Sequence, residues 1–260
     1  MKGQHFTNLY RDLSTFGNLV TIKDSTCLEL IDYAMVIDDP RDCLTSFTHR
    51  NLNLAYCKKE WLWYLTGNRF DASIMDHASM WKKIQLPDGA FNSNYGQYIF
   101  GQAQFHWVVE SLVKDIHSRQ ACMQLLNTSH MHEGNPDVVC TMGIQFLIRN
   151  GRLSMYVHMR SNDAIFGMTN DVFCFSQLHQ MVYWALKARG LEIELGEYVH
   201  RVGSLHVYER HFSMLLKLVS HRGKDHYDVK IPEPTSIEDF TSIMGYAKGN
   251  GSEYANWMLS

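Results

Sequence analysis

One dipeptide constrains the fold of this chain more than any other feature. Asn150-Gly151 sits between two runs of alternating apolar residues, with Cys140, Met142, Ile144, Phe146 and Ile148 before it and Leu153, Met155, Val157 and Met159 after it. Alternation at period two marks strands with one face buried, and Asn-Gly supplies the two positive φ angles of a tight hairpin turn. The two strands should pair antiparallel, with Arg149-Asn150-Gly151-Arg152 at one end and Cys140 beside Arg160 at the other. A cysteine at a strand start is usually packing. A neighbouring guanidinium gives this thiol a second reading, because positive charge lowers a thiol's pKa toward the nucleophilic thiolate.

Around the hairpin, helical spacing predicts a long helix from Asp171 to Arg189, with Val172, Phe175, Leu178, Met181 and Val182 on one face and Asn170 as N-cap. Asp171 would then lie in the first turn, where the helix dipole favours a carboxylate. Further helices are expected over Asn53 to Leu65, Phe105 to Ile116 and Tyr208 to His221, with a weak one beginning near Asn8. Thr26 to Ile31 and Gln120 to Leu126 read as strands and Glu192 to Val207 as extended structure. Asp71 to Phe91 and the tail from Lys230 read as mostly irregular. At 260 residues with 45% apolar content and neither linker nor repeat, one α/β or α+β domain over residues 1–260 is expected.

Twenty-four basic residues against 27 acidic ones give a net charge of −3, which argues against nucleic acid or a membrane surface as the main partner. The N-terminus lacks an apolar signal core and no run approaches the ~18 apolar residues of a membrane span, so a soluble cytoplasmic protein is expected. The six cysteines are scattered singly, so five buried thiols and one reactive thiol are expected rather than disulfides or a zinc ribbon. His130-Met131-His132 has no third ligand at a recognisable spacing, and no metal site is expected. Glu60, inside an apolar helix, reads most simply as an outward solvated residue; the sharper reading is a buried acid with a raised pKa. His206 and Tyr208, two apart on extended chain, share a side and suit either a sugar hydroxyl or a half-buried strand face.

Several ordered motifs carry a resemblance: Cys140-Thr141-Met142-Gly143-Ile144-Gln145-Phe146, Met159-Arg160-Ser161-Asn162-Asp163, Phe166-Gly167 and Val202-Gly203-Ser204-Leu205-His206-Val207-Tyr208. Together they resemble the thymidylate synthase family, and within it the deoxycytidylate hydroxymethylase branch of bacteriophages, over about residues 20 to 215. The resemblance implies a homodimeric α+β fold with a large mixed sheet flanked by helices, and 5,10-methylenetetrahydrofolate as one-carbon donor. If the gene is phage-borne, the location is the host cytoplasm. Cys140 would add to C6 of a pyrimidine nucleotide, so that C5 attacks the methylene group. After tetrahydrofolate leaves, water at the exocyclic methylene gives hydroxymethyl and hydride gives methyl.

The resemblance also implies roles. Glu60, in Glu60-Trp61-Leu62-Trp63, would organise water and relay protons, and Tyr95 would stand beside the thiol. Trp81, Asp163 and Gly167 match the folate side, together with Glu60. Arg160 and Ser161 resemble phosphate ligands, His206 and Tyr208 the pair on the sugar 3′-hydroxyl, and Arg119 an arginine reaching the neighbouring subunit's phosphate. Lys23 aligns loosely with an N-terminal phosphate arginine. Asp171 selects the base: an asparagine amide matches uracil's O4 acceptor and N3–H donor, whereas a carboxyl can accept from cytosine N4 and share a proton with N3. The chain departs from the family at Arg119-Gln120, where Arg-Arg is common, at Thr141, where thymidylate synthases have histidine, and in its tail. The expected substrate is dCMP, with methylation of dCMP or hydroxymethylation of CMP as alternatives. A non-catalytic nucleotide or RNA binder is the rival from another class. The presence of Cys140 and Glu60 and the net charge count against it.

Overall fold

The computed structural model describes residues 4–22, 24–220 and 226–260. Lys23 lies outside them. The chain opens with α1 (Gln4–Phe16), then β1 (Asn18–Ile22), β2 (Ser25–Ile37), β3 (Thr45–Phe47) and α2 (Leu54–Leu65). Two one-turn helices, α3 (Trp81–Ile84) and α4 (Gly96–Ile99), precede α5 (Gln104–Lys114) and β4 (Cys122–Gln124). The predicted hairpin is β5 (Thr141–Arg149) and β6 (Arg152–Asp163), followed by α6 (Gly167–Ala188), β7 (Glu194–Tyr208) and α7 (Phe212–Val219). β8 (His226–Asp228), α8 (Ile237–Thr241) and α9 (Glu253–Leu259) complete the order.

Six strands form one mixed sheet in the order β1-β2-β7-β6-β5-β4, and β3 pairs with β8. Asn150 and Gly151 adopt φ of 51° and 72°, and Arg149 pairs with Arg152, so the hairpin and its turn form as the sequence predicts, but a bulge between Thr141 and Gly143 breaks the expected alternation near Cys140, burying Thr141 and leaving Met142 exposed. β6 and β7 run parallel, which requires a crossover. The 22-residue α6 supplies it. Its buried residues include Val172, Phe173, Phe175, Leu178 and Leu186, and α6 also packs against α2 and α5.

Where the structure departs from the expectation, tertiary packing is the reason. α1 is a full helix because Phe6, Leu9, Tyr10 and Leu13 bury one stripe against β2 and α7. β2 runs to Ile37 because β7 pairs with it along that length. α6 begins at Gly167, with Phe166 at its N-cap position, so neither Asn170 nor Asp171 lies at the helix start. The tail is not irregular: Ser252 caps α9 through Ala255 N, and Tyr254 donates to Gln177 Oε1 at 2.9 Å. Lys58 of α2 donates to Trp257 O at 2.7 Å and Ser260 Oγ at 2.8 Å. No helix among the described residues is long and apolar enough to cross a membrane.

Candidate active site

The thiol and the arginine meet as the hairpin register requires. Arg160 N donates to Cys140 O at 2.8 Å, and its guanidinium lies across the approach loop, with Nε to Val139 O at 3.0 Å, Nη2 to Val138 O at 2.6 Å and Nη2 to Cys140 Sγ at 3.6 Å. The expectation of a depressed thiol pKa is corrected. Burial pushes Cys140 up, Arg160 pulls it down, Asp171 and Asp137 push it up again, and the net direction is upward. Cys140 is half-buried, so it is reachable from solvent while protein atoms surround most of it. Of the other cysteines, four are buried and Cys122 is exposed, one fewer buried than expected because the side chain of Cys122 projects from the edge strand β4.

Glu60 is not an outward residue. It is 6% exposed, and burial together with the charge of Asp171 pushes its pKa up to about 8. Tyr64 donates to Oε1 at 3.1 Å, while Oε2 is buried with no partner. Asp171 comes from α6 to the same place, where burial raises it to about 7. It is half-buried. Tyr95 stacks between Tyr64 and Phe175, with ring centroids at 5.1 and 6.0 Å, and lies within electrostatic reach of Cys140 and Asp171. Gly96 makes that stack possible: a Cβ there would fall 1.6 Å from Tyr64 O. The Cys140 thiol, the raised Glu60 carboxyl and the buried Tyr95 phenol thus all lie within electrostatic reach of the raised Asp171 carboxyl.

The other expected residues divide. Ser161 is half-buried on β6, next to Arg160. His206 and Tyr208 contact each other edge to face at 4.9 Å, as their spacing implies. Asp163 Oδ1 accepts from Ile165 N at 3.0 Å and shapes the turn into α6. Trp81 is a core residue whose Nε1 donates to Tyr56 OH at 2.9 Å, and Tyr56 is close enough to feel the charge of Glu60. Arg119 stands apart, lining a surface cleft of about 630 Å³ with Trp107, Lys114 and Gln120. His130 is buried against Tyr98, with Nε2 2.8 Å from its hydroxyl, and His132 lies beside Glu133 O. Among the described residues no group of three His, Cys, Asp or Glu could hold a metal ion.

Sequence reasoning missed four residues that complete this cluster. Asn162 is 4% exposed and stands beside Asp171, with Nδ2 3.0 Å from His200 Nε2; Tyr198 OH lies 2.6 Å from His200 Nδ1. Asp137 accepts from Ser93 N at 2.8 Å and from Ser93 Oγ, which ties the loop before Cys140 to the loop before Tyr95. Nothing in their spacing marks them. Only the presence of Asn162 within the Arg160-Ser161-Asn162-Asp163 run was a signal.

Residues 4–250 match the sequence profile described as Thymidylate synthase. Deoxycytidylate 5-hydroxymethyltransferase of Enterobacteria phage T4 is 30% identical over 198 residues, covering 72% of this chain and 78% of that protein. Thymidylate synthase of Fusobacterium nucleatum subsp. nucleatum is 27% identical over 203 residues, covering 75% and 72%. Among solved structures, thermostable thymidylate synthase A from Bacillus subtilis superposes with a TM-score of 0.70 at 21% identity, over 88% of this chain and 86% of that one, a likeness of fold.

Proposed function

This chain belongs to the thymidylate synthase family, and on that premise we propose that it is a deoxycytidylate C5 hydroxymethyltransferase, converting dCMP to 5-hydroxymethyl-dCMP. Members of the family are folate-dependent one-carbon transferases that use 5,10-methylenetetrahydrofolate as co-substrate. The observation that carries the cytosine reading is Asp171, a half-buried carboxyl held up to about 7 within electrostatic reach of the Cys140 thiol. At that pKa it holds a proton for a good part of the time near neutrality, so it can accept from N4–H and share a proton with N3. Uracil would set its O4 acceptor against the same oxygen.

In this reading Arg160 and Ser161 hold the phosphate, and His206 with Tyr208 holds the sugar 3′-hydroxyl. Cys140 Sγ adds to C6, and C5 takes the carbon unit that the folate supplies. The raised thiol pKa fits a nucleophile that gives up its proton only as the nucleotide arrives, with Arg160 to favour the anion. Glu60 Oε2, buried and without a protein partner, suits a water that ends on the exocyclic carbon as the hydroxyl oxygen. Trp81, Asp163 and Gly167 belong to the folate side, Trp81 through Tyr56.

A homodimer fits the outer sheet face. Val36, Val199 and Tyr156 lie in one row across β2, β7 and β6, and Val36 and Tyr156 are exposed. Arg119, set apart from Cys140 of its own chain, would reach the phosphate of the neighbouring subunit. The test is to incubate the protein with dCMP, CMP or dUMP and methylenetetrahydrofolate and to weigh the product. Gain of CH2O on dCMP supports the proposal. Gain of CH2 makes the enzyme a methylase, preference for CMP changes the sugar, and no product from any of the three removes the enzyme reading.

A further inference from the structure

Arg119 is exposed, and among the described residues its guanidinium has no hydrogen-bond or ion-pair partner. The backbone that carries it is held by side chains from two other elements. Gln145 of β5 donates from Nε2 to Arg119 O at 3.0 Å, and Cys122 Sγ stands 3.7 Å from the same oxygen. Trp107 of α5 donates from Nε1 to Gln120 O at 2.9 Å, an oxygen that also accepts from Cys122 N at 2.8 Å. Gln120 N donates to Ser118 Oγ at 3.1 Å. The peptide between Arg119 and Gln120 is therefore tied at both of its polar ends, and the next carbonyl is tied again. That planar unit is attached to the Arg119 Cα, so its orientation sets the direction in which the side chain leaves the loop. Trp107 is 51% exposed. An indole so open to water contributes little by burial, and its hydrogen bond to the loop is its main contact with it.

Gln145 also belongs to the outer-face row of the sheet. Cys122 pairs with Gln145, Gln145 with Tyr156, Tyr156 with Val199 and Val199 with Val36, and directly paired residues project to the same side of a sheet. Arg160 lies four residues beyond Tyr156 on β6, on the same side by alternation, and is exposed as Tyr156 and His158 are. One face thus carries the amide that holds the Arg119 loop and, farther along, the arginine beside Cys140. A second copy docked on this face covers both.

We infer that Trp107 and Gln145 are positioning residues for the substrate phosphate, holding the Arg119 loop in the shape that presents its guanidinium across the dimer interface. The inference rests on the reading of Arg119 as a phosphate ligand of the neighbouring subunit. Gln120 adds no second charge, so the phosphate receives one guanidinium from this loop. Its paired N–H groups match two phosphate oxygens only in a narrow set of orientations, and a misdirected loop loses one bond of the two. A loop already in shape also gives up less freedom when the nucleotide binds. Trp107 and Gln145 act through the Arg119 backbone and do not touch the nucleotide.

The test is the nucleotide Kd, measured by titration, of wild type, Arg119→Ala, Trp107→Phe, Gln145→Leu and the two doubles that join each of the last pair to Arg119→Ala. The phosphate is common to dCMP, CMP and dUMP, so whichever binds most tightly serves as the probe. Trp107→Phe keeps a ring and removes the N–H. Arg119→Ala should weaken binding by about thirtyfold, the scale of a hydrogen bond to a charged group, and Trp107→Phe or Gln145→Leu by about fivefold each. In the Arg119→Ala background neither should weaken it further, whereas a residue that merely supports the fold would act equally in both backgrounds. Sedimentation checks that each variant associates as wild type does. Trp107 stands outside the sheet row and carries the test alone if Gln145→Leu alters association. If Arg119→Ala weakens binding while Trp107→Phe binds as wild type does, or loses the same factor in both backgrounds, the positioning role is overturned and Arg119 keeps its own. If Arg119→Ala binds as wild type does, the cross-subunit reading fails and the inference falls with it. Binding of none of the three nucleotides removes both together with the nucleotide reading.

Discussion

Two aspartates close to α6 meet opposite fates. Asp239, in the α8 segment that packs on that helix, is 2% exposed; it accepts from Thr235 N at 2.6 Å, Thr235 Oγ1 at 3.0 Å and Asn250 Nδ2 at 2.9 Å. Burial pushes its pKa up, but the Thr235 backbone, Asn250 and neighbouring hydroxyls bring it below the usual carboxylate value. Asp171, on α6 itself, has no comparable set of donors and is pushed up to about 7. Burial sets the cost of a charge, and the number of donors decides whether the charge persists. Where donors are missing around a reachable carboxyl, a ligand can supply them. The same division runs through α2. Lys58 is finished by Trp257 O and Ser260 Oγ, while Glu60 two residues on has a bare oxygen.

The comparison makes opposite demands on the two regions. Loss of a residue in the Cys140–Asp171 cluster should remove function and spare stability, and loss of a tail residue should do the reverse. Cys140→Ala is expected to lower turnover by at least about 10³-fold, since a covalent path has no second nucleophile, with the melting temperature little changed. Steady-state kinetics and thermal unfolding on the same sample check it, and retained turnover would take the nucleophile role from Cys140. Asp171→Asn should then move the ratio of kcat/KM for dCMP over dUMP toward uracil by about 10²-fold, the scale of a buried polar mismatch. An unchanged ratio would reduce Asp171 to a helix acid that happens to stand near Cys140.

For the tail the expectation inverts. Asp239→Ala leaves the Thr235 and Asn250 donors unanswered and should cost about 2 kcal/mol. Because the folded pKa of Asp239 lies below its ordinary 3.8, the stability it supplies is present above that value and lost as pH falls through the folded pKa. Denaturant titrations of variant and wild type should therefore differ most near neutrality and converge in acid. A variant that loses turnover per folded molecule, with stability intact, would break the division between the regions.

What the sequence made legible follows from how local each signal is. The Asn150-Gly151 turn and the alternation around it fix register within a few residues, so the approach of Arg160 to Cys140 could be read directly. α1 and α9 could not, because both depend on partners distant in the chain, among them β2 and α7 for α1 and α2 with α6 for α9. The role of Asp171 was readable only through the family resemblance, since its own surroundings suggested a first-turn acid and α6 in fact begins four residues earlier. Asn162, His200 and Tyr198 were invisible for a related reason. They are joined by hydrogen bonds across β6 and β7, Asn162 to His200 and His200 to Tyr198, and no spacing in the sequence encodes that. Glu60 was misjudged on exposure because an apolar helix says which residues can be buried and leaves open on which side its single acid falls.

The smallest expected effect bears on Glu60 and uses its pKa directly. Burial raises it from 4.5 to about 8, so between those values the native state holds a proton that the unfolded chain has released. The folded protein then binds more protons than the unfolded one, and stability falls as pH rises through that window. Asp171, raised from 3.8 to about 7, contributes the same sign over a lower range. Glu60→Gln keeps the shape and a hydrogen-bonding oxygen for Tyr64 and removes the titration. Its melting temperature should match that of wild type near pH ~5 and exceed it by a few degrees at about pH 9, roughly 1 kcal/mol, because local relaxation and water penetration on ionisation relieve part of the cost of the charge. The gain should shrink when a nucleotide that engages Asp171 is bound, because Glu60 and Asp171 feel each other's charge. Parallel pH dependence in variant and wild type would mean that Glu60 ionises in the folded protein as easily as in water, and the contrast with Asp239 would then rest on Asp171 alone.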